Sequence, residues 1–577
     1  MKVSDYIARF LNAQKVTHIF ELSGGMITHI LDSLYEQGEF HIVSMHHEQS
    51  AAFAADAFAR ITGVPGVALA TSGPGATNLL TGIGSCYFDS VPAIFITGQV
   101  NQHEQKGDLP IRQLGFQETD IVQMAKPITK CAIQVQAAED IPVIFKQAFE
   151  TALSGRPGPV LIDIPMNIQR VDIEVADTDF SFANVNFEEN KLSEDFNWSK
   201  LLEDIAKAKK PLLLAGRGVI SSFSKSDFIA FAEKTGIPVI TSLLAVDAIP
   251  FDHPLRVGFI GAYGNRWANL CIGEADLLIV VGSRLDIRQT GADVKGFKGE
   301  KTIYHIDIEA GEINNRVKEC ISVVCDVRSF FSQANLLLAK NVISYSFPEW
   351  YEGIKMLKSL WPDENELNDT KGINPNRFLH QLSRISKQAG AYLADVGSHQ
   401  MWSAQSLELS SHQYFLTSGG MGAMGFALPA AIGATLAMKM PVIAIIGDGS
   451  MQLNIQELQT IAHHQLPVKI IVINNQSLGM IRQFQDSYFE SKHQSTVWGY
   501  SAPDFSKVAT AYNISSFSVE KEEQIEEGLK QMWEQANAPF LLQVMIDMNT
   551  NVYPKIAFGK PITEMEPFFK PNEMEGT

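Results

Sequence analysis

At 577 residues the chain is too long for one hydrophobic core, and the usual domain size of about 100–200 residues suggests three domains. Apolar residues make up 45% and charged residues 19%, a balance that excludes a disordered polymer and supports ordinary buried cores. Forty-six basic against sixty-four acidic residues leave a formal charge of −18, which repels nucleic acid and anionic lipid, so an anionic ligand must be gripped locally.

The first residues, MKVSDYIARFLNAQ, mix charges with apolar positions at helical spacing, unlike a signal peptide, and no run of about 18 apolar residues follows. A cytoplasmic location is expected. Apolar runs at 18–20, 66–70, 93–96 and 160–164 alternate with helical patterns at 26–35 and 76–86, which predicts a parallel sheet covered by helices over residues 1–170. Residues 171–198 turn acidic and Asn-rich and read as a linker. A second α/β set spans 199–340, with strands expected at 211–215, 238–241, 277–281 and 302–306. The less regular stretch 341–372, with Pro348, Trp350 and Trp361, reads as another linker. A third set spans 373–577, with strands expected at 391–393, 442–446, 469–473 and 540–544 and a layout like the first. The fold class is therefore α/β, in three consecutive domains each with a central parallel sheet flanked by helices. Five cysteines, scattered without CxxC or metal-ligand spacing, read as reduced core thiols.

The strongest chemical signal lies in the third domain. An apolar strand runs into Gly447-Asp448-Gly449-Ser450, and a second strand ends at Asn474-Asn475. Adjacent strand ends would bring a carboxylate and an amide together, glycines would let backbone approach a ligand, and Mg²⁺ takes few protein oxygens and fills its shell from phosphate and water. A bound diphosphate bridged by Mg²⁺ fits. Gly420-Met-Gly422-Ala-Met-Gly425 also satisfies GxGxxG, but no clean strand is apparent before it and the downstream acid already belongs to the GDG element. In the first domain Glu48 follows a strand-like run and opens a helix of small residues, and Gly63–Asn78 is glycine-rich.

The GDG element with its NN partner resembles the diphosphate motif of thiamine diphosphate enzymes. With the stretches 63–78, 91–99, 115–118, 155–165, 395–402 and 474–480, the chain is similar to acetolactate synthases over nearly its whole length. That resemblance implies a role for each matching residue. Glu48 would activate the cofactor through its aminopyrimidine ring, and Asp448, Asn475 and the Ser477 carbonyl would bind Mg²⁺. His399, Gly449 and Ser450 would meet the diphosphate, and Met424 would wedge the cofactor into a bent shape. Phe116 and Gln117 would line the substrate cavity, while Pro74 and Asn78 would lie near the pyrimidine. In the middle domain Gly216, Arg217, Gly218, Tyr263, Gly264, Arg284, Arg288, Asp307 and Asp326, joined by Arg156 from the first, would hold FAD in a structural role. The resemblance further implies a homodimer or homotetramer with active sites between chains, a 2-keto acid donor, pyruvate, and a carbonyl acceptor.

Several pocket positions depart from the family pattern. Leu22-Ser23-Gly24-Gly25-Met26 stands for Tyr-Pro-Gly-Gly-Ala, Met166 for a lysine, Phe484 for a tryptophan near Met480, Ile287 for an aspartate and Ser398 for a glutamine. These changes open the acceptor question: a second pyruvate, with Arg288 available to pair with its carboxylate, or a bulkier ketone such as a nucleotide-linked keto sugar. Simple decarboxylation to an aldehyde and a non-catalytic binding protein on a degenerate fold are the other readings.

Overall fold

The computed structural model describes residues 1–180, 191–340, 345–367 and 370–572. Its strands form three six-stranded parallel sheets and one short antiparallel pair near the C-terminus. The first sheet runs His41–Ser44, His18–Leu22, Gly66–Ala70, Ala93–Gln99, Pro159–Pro165, Cys131–Gln134. The third runs Tyr414–Thr417, Ala391–Ala394, Val442–Gly447, Val468–Asn474, Phe540–Met545, Ser515–Val519. Counted in chain order within each domain, both read 2-1-3-4-6-5, so the expected likeness of the two layouts is strand for strand. The middle sheet differs. Its order, Ile321–Val324, Thr302–Asp307, Leu277–Val281, Pro211–Ala215, Val239–Thr241, Arg256–Phe259, is the doubly wound arrangement of dinucleotide-binding folds.

The first and third sheets share one apolar core. The helix Glu48–Thr62 packs against the helix Ala427–Met438 so closely that a β-carbon on Gly433 would lie 2.0 Å from the Ala54 carbonyl oxygen. On the sheet side, a β-carbon on Gly66 would lie 2.0 Å from the Ala55 carbonyl oxygen. The alanines of both helices, with Gly433, are thus a packing requirement, because larger side chains would force the backbones apart.

The linker expected at 341–372 is only partly one. Residues Pro348–Leu360 form a helix whose Trp350 and Ile354 join the middle-domain core, with Trp350 Nε1 donating to the Pro211 carbonyl at 3.1 Å. The tryptophan that made the stretch look irregular anchors it. The expected linker 171–198 likewise ends in the first turn of the helix Trp198–Lys207, and its residues 181–190 lie outside those described.

Just beyond the helix Pro348–Leu360, Asp363 meets the third domain. Buried His380 faces Asp363 through Nε2 at 3.0 Å and Glu408 through Nδ1 at 2.9 Å. Burial alone would lower its pKa, but the two carboxylates raise it overall. A histidine whose folded pKa is raised contributes stability that is complete below its unfolded value of about 6.5 and is lost as pH climbs through the folded value. His380→Ala, which leaves buried Asp363 without its cation while Glu408 keeps Arg384 at 2.7 Å, should cost about 3–5 kcal/mol and flatten the alkaline limb of stability against pH; chemical denaturation at pH 6 and pH 9 measures both.

Candidate active site

In the third sheet the strand order reverses between Ala391–Ala394 and Val442–Gly447, and open parallel sheets take ligands at such a point, beyond the carboxyl ends of the strands. Asp448 opens the helix Asp448–Met451 immediately after its strand, and Asn475 follows the neighbouring one. Gly447 pairs with Ile473, so carboxylate and amide leave adjacent strand ends. Asp448 is 2% exposed, and burial pushes its carboxyl up to about 6 although Tyr500 donates to Oδ2 at 2.9 Å. Asn475 Oδ1 accepts the Ser477 backbone N–H at 3.2 Å. Nearby, the buried hydroxyls of Ser398 and Ser477 have no partner. A buried carboxylate short of positive charge, beside orphaned hydroxyls, is electrostatically incomplete, and a hard cation carrying an anion would complete it. Among the described residues no three His, Cys, Asp or Glu side chains are grouped to hold a metal, so an ion here would draw on amide, carbonyl, phosphate and water oxygens.

Gly449 leaves this spot open. A β-carbon there would lie 2.6 Å from Leu478 Cδ2, 3.3 Å from Tyr500 Oη and 3.5 Å from Met424 Cε, which puts Met424 at the mouth of the same site. Ser450 donates its hydroxyl to the Val396 carbonyl at 3.1 Å. His399 is turned to the backbone: burial drives its pKa down to about 3, and its neutral Nε2 accepts the Gly447 N–H at 3.2 Å. β-Carbons at Gly397 or Gly447 would each come within 2.8 Å of that ring, so the histidine braces the strand ends.

The Gly420–Gly425 run is no anion cradle. A strand, Tyr414–Thr417, does precede it, against expectation, but the amides leading into the helix Ala427–Met438 are taken. Buried Asp395 accepts from Gly425 N at 2.9 Å and Ala427 N at 2.7 Å.

Glu48 starts the helix Glu48–Thr62, with His47 as cap, its Nδ1 accepting the Gln49 N–H at 3.0 Å. The Glu48 carboxylate is 6% exposed; Oε2 accepts from Asn78 Nδ2 at 2.9 Å, and Oε1 lies where a β-carbon on Gly75 would be 3.2 Å away. Pro74 begins the helix Pro74–Asn78 that delivers Asn78. Gln117 adopts φ +66° and packs on Gly73, beside that loop. Phe116, its neighbour, is 79% exposed. The start of the Glu48 helix docks on the third domain, with Ser50 donating to Asn454 Oδ1 at 3.1 Å and His46 N to Glu457 Oε1 at 3.1 Å.

The expected substrate-pocket residues fall into two groups. Met26 lies at the end of the first sheet, its carbonyl accepting from Gln169 Nε2 at 2.7 Å, with Gly25 before it and Met166 opening the helix Met166–Gln169. Met480 and Phe484 stand on the helix Gly479–Tyr488, Met480 against the third-domain core and Phe484 with its ring centroid 4.8 Å from that of Tyr488, tilted by 53°.

In the middle domain a cavity of about 310 Å³ opens where the strand order reverses, between Pro211–Ala215 and Leu277–Val281. Arg217, Gly218, Tyr263, Arg284 and Arg288 line it, as do Asp307, Asp326 and Arg156. Arg156 reaches across from the first domain to Glu309 and Glu312, each at 2.8 Å. Arg217 Nε has no partner, and burial lowers this guanidinium to about 10, so an anion would find an unsatisfied cation there. Gly216 and Gly264 are not among the residues that line this cavity. A β-carbon on Gly216 would lie 2.1 Å from the Gly282 oxygen and one on Gly264 2.6 Å from the Ile260 carbonyl carbon, so both exist for backbone packing.

Tyr500 and Asn454 have no signal in the sequence, and nothing in it shows that Asp395 binds the amides of Gly425 and Ala427. Each sits in an ordinary loop and gains its place only by long-range folding.

The chain matches three family models: the N-terminal binding domain of thiamine pyrophosphate enzymes over residues 1–124, their central domain over 198–334 and their C-terminal binding domain over 395–544. It is 38% identical to the probable acetolactate synthase large subunit of Methanocaldococcus jannaschii, covering 95% of this chain and 92% of that protein. It is 36% identical to the acetolactate synthase isozyme 2 large subunit of Escherichia coli, covering 98% and 99%, and 35% identical to the acetolactate synthase large subunit of Lactococcus lactis, covering 97% and 95%.

Proposed function

The chain belongs to the acetolactate synthase family of thiamine pyrophosphate enzymes, a carboligase that decarboxylates pyruvate and passes the two-carbon unit to a carbonyl acceptor, and on that premise we propose how its residues share the work. Thiamine diphosphate, when bound, supplies the electron sink that lets a 2-keto acid lose carbon dioxide and its remainder attack a carbonyl. Asp448, Asn475 and the Ser477 carbonyl hold Mg²⁺, whose charge offsets the cost of burying the Asp448 carboxylate. Gly449, Ser450 and His399 frame the diphosphate, and Met424 packs beside it. Glu48 holds a proton through Oε1, the oxygen that Asn78 leaves open, and its buried setting keeps water from competing. Gln117 and Phe116 border the acceptor, with Gly25, Met26, Met166, Met480 and Phe484 shaping the rest of that space.

The observation that carries this assignment is the incomplete polar end of the third sheet, where Asp448 is buried without a cation beside the orphaned Ser398 and Ser477 hydroxyls. A second pyruvate is the acceptor. The near full-length likeness to proteins named acetolactate synthases does not favour simple decarboxylation or a bulkier ketone.

FAD occupies the middle cavity in a structural role, since joining two pyruvates with loss of carbon dioxide needs no net redox step; the doubly wound strand order and the unpartnered Arg217 support it. Two or four copies form the working enzyme, with active sites completed between chains. The loop carrying Phe116 exposes Leu109, Ile111 and Leu114 as well, an apolar patch of the kind that marks a partner surface. Among the described residues no helix is long and apolar enough to cross a membrane, and five unpaired thiols support a place in the cytoplasm.

Two measurements test the reading. Purified protein given pyruvate alone should make acetolactate by mass spectrometry, and denatured holoprotein should release thiamine diphosphate, Mg²⁺ and FAD. Acetaldehyde as the sole product, or no thiamine diphosphate, would overturn it.

A further inference from the structure

Segment 417–426 links the strand Tyr414–Thr417 to the helix Ala427–Met438 and carries Met424. Its own domain holds one end through Asp395. The first domain holds the other. Asp89 accepts from Gly419 N at 2.9 Å and Gly420 N at 2.7 Å. Arg60 pairs with Asp89 at 3.1 Å and with Asp56 at 2.5 Å, and donates to the Thr417 carbonyl at 3.0 Å. All three charged side chains are buried, so the clamp is made in a low dielectric where its geometry is rigidly specified. Gly420 leaves no slack: a β-carbon there would lie 2.6 Å from Phe88 Cβ and 3.1 Å from Asp89 Oδ1.

The same clamp is a wall of the middle-domain cavity, which Arg60, Asp89, Gly419 and Gly420 line together with Arg217 and Gly282. Four residues further along the chain from Gly420, Met424 reaches the space above Gly449. One short backbone segment therefore touches the cavity at one end and the diphosphate site at the other, and a single carboxylate holds its near end.

We propose that Asp89 and Arg60 are positioning residues that couple occupancy of the middle-domain cavity to the setting of Met424, so that FAD and thiamine diphosphate bind cooperatively. This rests on the cofactor placement proposed above and gives a flavin without a redox step a role: filling the cavity keeps Gly419 and Gly420 held against Asp89 and so fixes the segment before the second cofactor arrives. Such coupling is reciprocal, each ligand tightening the other by the same factor.

The test uses the full chain stripped of both cofactors. Thiamine diphosphate with Mg²⁺ is titrated by calorimetry with and without saturating FAD, and FAD binding is read separately from quenching of its fluorescence. In the wild type FAD should tighten thiamine diphosphate binding by about fivefold or more, the weak end of ordinary coupling between sites. In Asp89→Asn, which keeps shape but cannot accept both glycine amides, that ratio should fall to near one, whatever the change in either affinity alone. Gly420→Ala, which strains the clamp from the other side, should also reduce the ratio. If wild-type protein binds FAD and the ratio is one, the coupling is wrong and the cofactor placement stands. Wild-type protein that binds no FAD refutes both. A variant ratio equal to that of the wild type refutes the role of Asp89, and the wild-type ratio decides the coupling even if a variant does not fold.

Discussion

Replacing Glu48 by glutamine should lower kcat by about 10²–10⁴-fold, the usual worth of a positioned acid or base, and leave thiamine diphosphate affinity within a few-fold of wild type. Glutamine keeps the length of the side chain and an oxygen that can accept from Asn78, as Oε2 does at 2.9 Å, so the site stays packed. What it cannot do is exchange a proton at the other position, beside Gly75. Binding by calorimetry and turnover of pyruvate separate the two effects, and a variant that turns over at the wild-type rate removes Glu48 from the chemistry. Asn78→Ala should act more mildly, because it frees the carboxylate to rotate without abolishing it.

Asp448→Ala should weaken Mg²⁺-dependent binding of thiamine diphosphate by about a hundredfold or more, since even outer-shell partners of a metal site are worth 10–100-fold. The apo protein should not suffer. Burial raises the Asp448 carboxyl to about 6, so at neutral pH the ionised group costs stability in the folded state, and Asp448→Asn should melt at the wild-type temperature or above it in the absence of metal. A lower melting temperature would mark the residue as structural. Chelation of the wild-type holoenzyme should release thiamine diphosphate in the same way. Mixing Glu48→Gln chains with Asp448→Ala chains and allowing exchange distinguishes sites within chains from sites between them. Shared sites would restore about a quarter of wild-type activity, because half the dimers are mixed and each holds one intact site; sites confined to one chain would restore none.

How much of this was legible in the sequence depends on where in the fold a residue sits. The four central strands of each domain stand out as apolar runs, because a parallel strand covered by helices on both faces is apolar throughout; Val442–Gly447 and Leu277–Val281 are buried at every position. Edge strands such as Cys131–Gln134, Ile321–Val324 and Ser515–Val519 are half-exposed and carry no such run. Arg256–Phe259 and Tyr414–Thr417 are buried almost throughout, but their short runs merge into their loops. The helix Pro348–Leu360 was hidden for a related reason: its few apolar contacts are made to a sheet that begins more than 130 residues earlier.

By itself the sequence determined the class of fold, the three parallel sheets and the pairing of Asp448 with Asn475, since the spacing from one strand end to the next is local and a parallel sheet translates it into adjacency. Tertiary structure alone decided what surrounds that pair. The Tyr500 hydroxyl reaches Asp448 across 52 residues, Asp89 grips Gly420 across 331 and Asp395 takes the amides of Gly425 and Ala427 at the helix start. Those contacts join groups that no periodicity relates, and they exist because burial leaves each carboxylate no water and obliges it to find a donor elsewhere in the chain.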